Sequence, residues 1–273
     1  MGGGIQALFR ASACHGDHLI VGGQPDADPE LALASLLFEL ESDGAEIRTV
    51  SLRLARRADA AWAQPALRWL AAHGRRPLLR SAISLPRPLA EAAWESGASV
   101  VFELAHQRPA IQRALVGPEA DPAAALLLSA QHLGRLGVGV GAHLGPLVPG
   151  IHDHRAQVEP LLHHLRAADL HEVHLSVGRL TPARLAALAG AVDEGVLLAI
   201  RRAYGVAPGS TREGWRLGRL SHDALREGVR AIAREHGLRV DGCGCAAFCH
   251  LDGGGRPDYA RIGAGELFAD VAG

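Results

Sequence analysis

A strand–loop–helix–strand pattern between residues 136 and 178 constrains the fold of this chain more than any other segment. Apolar residues alternate from 138 to 142 as in a short buried strand, and a loop rich in Pro and Gly follows at 145–150. Val158 and three leucines then recur at helical spacing across 158–165, and residues 173–177 alternate again. This βαβ pattern predicts a parallel sheet, because a helical crossover is the usual connection between parallel strands. The loop is expected at the carboxyl end of its strand, where such folds bind ligands.

The same unit recurs along the chain. Further strands are predicted at 5–9, 19–21, 47–54, 78–83 and 99–104, each separated from the next by a loop or a helix. With the strands at 138–142 and 173–177, about seven are expected before Gly178. The prediction is an α/β fold with a full or partial (β/α) barrel, and an open doubly wound sheet is the alternative. Trp62, Trp69 and Trp94 lie on helical patterns and are expected in the core.

The pattern changes beyond Pro182. Helices are predicted at 183–192 and 223–236, and a last short strand at 238–240. Residues 196–204 fit a helix or a strand, and the tail from Gly253 is rich in Gly. We therefore expect a barrel core at residues 1–195 and a small extension at 196–273 that carries most of the cysteines.

Composition restricts the classes of partner. The net charge is −1 over 273 residues, which favours neither nucleic acid nor a membrane surface, and all 28 basic residues are Arg. No long apolar run or amino-terminal signal pattern occurs, so a cytoplasmic location is expected. In that reducing compartment a disulfide is a less favoured use of the four cysteines. A small molecule is the expected ligand.

Three cysteines and a histidine lie within eight residues near the carboxyl terminus: Cys243, Cys245, Cys249 and His250. This spacing and its flanking glycines suit Zn²⁺ or an iron–sulfur cluster. Packing as small buried apolar residues is the alternative. Cys14 follows the first predicted strand, and Cys14 or His18 would complete the site if the first and last strands were parallel members of one barrel.

Two segments together resemble the radical S-adenosylmethionine superfamily, and within it the spore photoproduct lyase-like branch. Residues 22–25 (Gly22, Gly23, Gln24 and a Pro) resemble the superfamily's Gly-Gly-Glu-Pro motif, with Gln in place of Glu. Residues 146–153, which contain Pro146 and Pro149, resemble the late-barrel segment of that branch. The resemblance covers roughly residues 5–190 and implies a radical-SAM/TIM-like barrel. It also implies that Gly22, Gly23, Gln24, Pro146 and Pro149 contact the cofactor S-adenosylmethionine.

The family's cluster-binding loop is degenerate in this chain. In the family, a C-x3-C-x2-C loop after the first strand holds three irons of a [4Fe–4S] cluster, a site that requires thiolates. Either alignment of residues 12–21 with that loop leaves at most one cysteine, Cys14, at a thiolate position. The resemblance therefore implies the barrel, and the departure counts against its radical chemistry.

Several other polar residues are placed near predicted strand ends. His143 and His174 are expected to line a cavity, and Arg53 and Glu103 to face the mouth of the barrel, with structural ion pairing as the alternative for Glu103. Three functional hypotheses remain open. The chain is a divergent radical-SAM-like protein that binds a cluster or metal through its carboxy-terminal cysteines, a non-catalytic scaffold derived from that family (a pseudoenzyme), or a zinc-binding barrel hydrolase.

Overall fold

A computed structural model describes residues 5–10, 18–23, 34, 37–38, 49–207, 209, 214–240, 251–252 and 256–257. These residues fall into two compact units, one made of residues 5–102, 129–141 and 251–257, the other of residues 103–128 and 142–240. None of the helices in these ranges is long and apolar enough to cross a membrane. The division predicted at residue 195 stays a prediction.

The strands follow chain order. In the first unit the order is β1-β2-β3-β4-β5, and in the second it is β6-β7-β8. The strands are β1 (Ile5–Arg10), β2 (His18–Gly23), β3 (Thr49–Leu54), β4 (Arg76–Ser81), β5 (Ser99–Leu104), β6 (Val140–Leu147), β7 (Glu172–Val177), β8 (Arg239–Val240), β9 (Leu251–Asp252) and β10 (Arg256–Pro257). The pairings from β2 to β5 and from β6 to β8 are parallel. The predicted α/β class with a partial (β/α) barrel is confirmed, and among the described residues no pairing closes a ring.

The first strand runs opposite to its neighbour. β1 pairs antiparallel with β2, so that Ile5 lies opposite Gly23 and Arg10 opposite Leu19. The joint site of Cys14 with the carboxy-terminal cysteines required the first strand to be a parallel member of the barrel, and this condition is not met. β2 is the first parallel strand, and Gly22 and Gly23 are its last two residues. A sequence pattern reports which residues form a strand, but not the direction in which a distant strand runs beside it.

Helices separate the parallel strands. They are α1 (Ala60–Ala72), α2 (Arg87–Glu95), α3 (Pro109–Val116), α4 (Ala123–Arg135), α5 (Arg155–Ala167), α6 (Pro182–Ala189), α7 (Glu194–Ala203) and α8 (Arg219–Glu235). Side-chain caps begin two of them: Thr181 Oγ1 accepts the Arg184 N–H at 3.2 Å, and Asp193 Oδ1 accepts the Val196 N–H at 2.9 Å. Such caps satisfy amide groups that have no partner within the helix. Of the two alternatives for residues 196–204, helix is correct for residues 196–203, which lie in α7. The sequence patterns did not predict α3.

Apolar side chains on the strands form the core of each unit. In the first unit Val50, Leu52 and Leu54 are fully buried, and Trp62 on α1 is 2% exposed. Trp69 is only half-buried and Trp94 is 61% exposed, so the prediction that all three tryptophans are core residues is wrong. Helical spacing alone does not say which face of a short helix meets the sheet.

Two arginines lie on the face of β3 and β4 that also carries Ser51 and Leu78. Arg53 is paired in register with Arg80, and Leu52 with Leu79. Since paired residues of parallel strands project to the same side of a sheet, both guanidinium groups lie on the face opposite Leu52 and Leu79. Arg80 is nevertheless 8% exposed.

The βαβ unit predicted from residues 136–178 is present as β6, α5 and β7. Its strand is longer than expected, because residues 145–147 continue β6 through a cis Gly145–Pro146 peptide bond and a register irregularity against β7. The loop therefore starts at Val148. Val158, Leu161, Leu162 and Leu165 are the buried face of α5.

Candidate functional site

Two histidines lie side by side on neighbouring strands of the second unit. His143 of β6 is paired in register with His174 of β7, and both imidazoles project to the face opposite Leu144 and Leu175. His143 is 7% exposed and His174 is 2% exposed. The buried apolar residues that flank them fix this orientation, since a one-residue slip would turn the leucines to the polar side.

Ser176 completes a polar cluster with these histidines. It lies two residues after His174, so it shares the same face of β7, and its Oγ is 2.7 Å from His143 Nε2. The serine is partly exposed, whereas the two imidazoles are buried behind it. A hydroxyl near the carboxyl end of a parallel strand, backed by an imidazole, is well placed to meet a ligand.

Gly145 allows the close approach of β6 to Ser176. A Cβ atom at residue 145 would lie 2.5 Å from Ser176 Oγ and 3.2 Å from His143 Nε2. The distance to the serine oxygen is too short for any Cβ atom, and the distance to the histidine nitrogen is shorter than an ordinary contact. A side chain at residue 145 would therefore displace the hydroxyl. The glycine is therefore part of the geometry of the pair.

His152 ties the loop after β6 to the segment after β5. Its Nδ1 accepts the Val148 N–H at 2.9 Å, and its Nε2–H donates to the Ala105 carbonyl at 2.8 Å. These two contacts assign the Nε2–H tautomer of a neutral ring. Burial lowers the pKa of His152 to about 4, so the ring stays neutral at physiological pH. His152 is a structural link rather than a titrating group of the site.

A second neutral histidine orders the segment after β5. His106 Nδ1 accepts the Arg108 N–H at 2.9 Å, and its Nε2–H donates to Gln157 Oε1 at 3.2 Å. Burial, the largest cause, lowers the pKa of His106, while the hydrogen bond to Gln157 opposes that shift. The buried Gln112 accepts the N–H groups of Ala105 and His106 at 2.7 and 3.1 Å. The backbone beside the site is thus held by side chains from α3 and α5.

The end of β7 is fixed by Tyr204. Its hydroxyl donates to the Gly178 carbonyl at 2.9 Å, and burial raises the pKa of this phenol to about 12. Gly178 packs directly under the ring of Pro146, and a Cβ atom there would overlap the proline Cβ. Pro146 therefore contributes to the shape of the site's rim by packing.

The residues predicted from the sequence have different outcomes. Pro146 lies in β6, and Pro149 lies in the following turn and lines a cavity of about 400 Å³ with His152 and Asp153.

The predicted residues of the first strands have these positions: Gly22 and Gly23 end β2, and His18 begins it. Glu103 is 3% exposed, and its backbone carbonyl accepts Gln112 Nε2 at 3.0 Å. Whether any of these residues contacts a cofactor stays a prediction.

The predicted metal ligands lie mostly outside the described residues: Cys14, Cys243, Cys245, Cys249 and His250, together with Gln24 of the glycine motif. Within the described part of the chain, no group of three or more His, Cys, Asp or Glu side chains is arranged to hold a metal ion. One premise of the joint site is wrong, because β1 is antiparallel to β2 and is not a parallel barrel strand. The carboxy-terminal cysteine site itself stays a prediction.

The family's cluster does not fit the ligands available after the first parallel strand. That strand is β2, and no cysteine occurs between Cys14 and Cys243. The loop that follows β2 therefore cannot supply the three thiolates that the family's cluster requires. A cluster at the family's usual position is incompatible with this sequence, whichever of the two amino-terminal strands is taken as the start of the barrel.

Comparison with known proteins gives structural matches alone. No protein-family model matches the chain, and no curated protein matches it. Spore photoproduct lyase complexed with a dinucleoside spore photoproduct matches with a TM-score of 0.50 and 13% identity, over 78% of this chain and 66% of that chain. A mutant of that lyase matches with a TM-score of 0.51 and 13% identity over the same shares. The likeness is one of fold.

A third match has a ligand named in its description. It is a mutant spore photoproduct lyase with bound AdoMet and dinucleoside spore photoproduct, with a TM-score of 0.50 and 12% identity, over 78% of this chain and 66% of that chain. This chain thus spans just under two thirds of the length of the lyase structures it matches. The similarity supports the barrel fold that the sequence resemblance implied, and it assigns no activity.

The sequence did not single out Ser176, although it placed His143 and His174 near a cavity. A signal was present, because Ser176 occupies the polar side of the alternating β7 pattern, two residues after His174. The decisive fact, the register of β6 against β7, is a tertiary property and is not encoded in either strand alone.

Proposed function

We propose that this chain is a divergent radical S-adenosylmethionine-type barrel protein that binds a small polar molecule at the carboxyl ends of β6 and β7. The observation that carries the proposal is the hydrogen bond between His143 Nε2 and Ser176 Oγ, at 2.7 Å. The descent is supported by the fold likeness to spore photoproduct lyase and by the resemblance of residues 22–25 and 146–153 to that family.

The chemistry of the pair suits an uncharged polar group on the ligand. A serine hydroxyl both donates and accepts, and a neutral imidazole offers one donor and one acceptor nitrogen. Ligand sites of this kind combine apolar walls with a few well-placed polar groups. Pro146 is partly exposed at the end of β6 and supplies an apolar surface of this kind.

The site is tested by ligand-observed NMR with a mixture of small fragments that carry hydroxyl, amide or ester groups. Fragments should bind to the wild type and lose roughly fivefold in affinity in Ser176→Ala, the effect of one hydrogen bond worth about 1 kcal/mol. Ser96→Ala is the matched control, because Ser96 is also a partly exposed serine and lies in the first unit. Absence of fragment binding, or equal binding to Ser176→Ala, would count against the site.

A second candidate function is metal or cluster binding by the carboxy-terminal cysteines. The dense spacing of Cys243, Cys245 and Cys249 before His250 favours it. Thiolates in this number are ligands for Zn²⁺ or, with a further ligand, for an iron–sulfur cluster. The reducing cytoplasm would keep these thiols available, and it remains the proposed location. A bound ion there would supply Lewis-acid or redox chemistry.

Metal analysis after anaerobic purification tests this candidate. Iron with sulfide would favour the cluster, zinc would favour a zinc-binding barrel, and neither would favour the non-catalytic scaffold. The matched comparison is a triple Cys→Ser variant at 243, 245 and 249 against Cys14→Ser. Loss of metal only in the triple variant is expected, whereas metal retained in that variant would contradict the assignment.

A further inference from the structure

We propose that Ser176 is a nucleophile and that His143 is its general base, so that the site attacks the acyl carbon of a carboxylic ester. The inference rests on the proposed ligand site, whose chemistry it specifies. A serine is a weak nucleophile unless a base removes its proton, and a hydrogen-bonded imidazole is the usual base. The distance of 2.7 Å between His143 Nε2 and Ser176 Oγ falls in the range required for that transfer.

Ser176 is more exposed than His143, as expected for a nucleophile that meets a substrate and a base that lies behind it. Ser176 is partly exposed near the end of β7, so solvent reaches part of this residue. His143 lies behind it with only 7% of its surface exposed. The imidazole is therefore largely removed from bulk water, whereas the serine is partly open to it.

The positions of both side chains are constrained by the backbone around them. Register pairing of β6 with β7 places the two residues on one face. Gly145 leaves the space that the serine hydroxyl occupies, as the contacts of a Cβ atom there indicate. Tyr204 anchors the Gly178 carbonyl two residues beyond Ser176. Rigid support of this kind keeps a reacting pair in one geometry.

The reaction would proceed in two balanced halves. Ser176 Oγ attacks the carbonyl carbon as its proton passes to His143 Nε2, and the ester C–O bond breaks as that proton is delivered to the departing alcohol. Water then attacks the acyl-serine ester, giving one proton to His143 and releasing the carboxylic acid. Ser176 recovers its proton from His143, so the only co-reactant consumed is water.

The test uses an alkyl fluorophosphonate, which forms a P–O bond to an activated serine and releases fluoride while the serine proton passes to the base. Intact-mass and peptide mass spectrometry of the full chain should locate one adduct at Ser176 in the wild type and in Ser96→Ala. Ser176→Ala should give none. His143→Gln should react at least about 100-fold more slowly, the usual size of a general-base contribution.

The outcomes separate this inference from the proposed ligand site. Fragment binding without an adduct at Ser176 overturns the nucleophile and leaves the site, whereas loss of both overturns both. An adduct that forms equally fast in His143→Gln also overturns the pair. If circular dichroism shows that His143→Gln is unfolded, His143→Asn replaces it, and the presence or absence of the wild-type adduct at Ser176 still decides the first step.

Discussion

The Nε2 atom of His143 lies 2.7 Å from the Oγ atom of Ser176, across two neighbouring parallel strands. The residues are 33 positions apart in sequence, so β6, α5 and β7 must all be in place before they meet. This hydrogen bond depends on the relative positions of β6 and β7, so a local change in either strand should break it. Substitutions around the two residues test this dependence.

Gly145→Ala should separate the pair without removing either partner. The new Cβ would lie 2.5 Å from Ser176 Oγ, so the hydroxyl or the strand must move. We expect fragment binding and fluorophosphonate labelling of Ser176 to fall to the levels of Ser176→Ala. Wild-type labelling in a folded Gly145→Ala protein would show that the geometry of the pair does not matter.

His152 predicts a specific dependence of stability on pH. Its pKa is about 4 in the folded state, and the ordinary value of 6.5 applies to the unfolded chain. The unfolded state therefore binds more protons between these values. The contribution of His152 to stability should be constant above pH 6.5 and should fall as the pH is lowered toward 4, by roughly 3 kcal/mol in total. The lowered pKa of His106 acts in the same direction.

Urea unfolding at several pH values measures this effect. His152→Gln should be less stable than the wild type at pH 7 but should lose less stability on acidification. His163→Gln is the control, because His163 is exposed on α5. Identical pH profiles for the wild type and His152→Gln would contradict the assignment of a neutral buried ring.

Gly178→Ala should destabilise the protein, whereas Gly134→Ala should not. At residue 178 a Cβ atom would overlap Pro146, and overpacking of this kind costs on the order of 1–3 kcal/mol. At residue 134, inside α4, a Cβ atom has nothing within 4 Å, and replacing a helical glycine by alanine stabilises by roughly 0.5–1 kcal/mol. In thermal unfolding, the midpoint temperature should fall in Gly178→Ala and rise in Gly134→Ala relative to the wild type. A change of the same sign in both variants would contradict the packing described.

Tyr204→Phe should remove a single hydrogen bond to the Gly178 carbonyl. The expected loss is about 1 kcal/mol, with a larger value if the carbonyl is left without a donor. In the wild type the phenol should titrate near 12 by ultraviolet absorbance, and stability should decline above pH 10 because the unfolded chain ionises first. A phenol that titrates at its ordinary value would show that the ring is not buried.

Local patterns in the sequence predicted much of the fold. The alternation of 173–177 and the helical spacing of 158–165 each describe one element, and β7 and α5 form where those patterns lie. The direction of β1 was missed because pairing depends on a partner elsewhere in the chain. The extension of β6 through Gly145 and Pro146 was missed because both residues usually mark a loop.

The candidate site was predicted only in part, for a related reason. His143 and His174 were placed near a cavity because each lies in a predicted strand. Ser176 acquires its significance only through the register of β6 against β7, which no single-strand pattern specifies. The cysteines at 243, 245 and 249 lie outside the described residues, so their role rests on sequence spacing alone.

A crystal structure of the protein soaked with the tightest-binding fragment would locate the ligand site. We expect a polar atom of the fragment within hydrogen-bond distance of Ser176 Oγ or His143 Nε2, at the carboxyl ends of β6 and β7. A fragment bound elsewhere, with no contact to either of these two atoms, would contradict the proposed site.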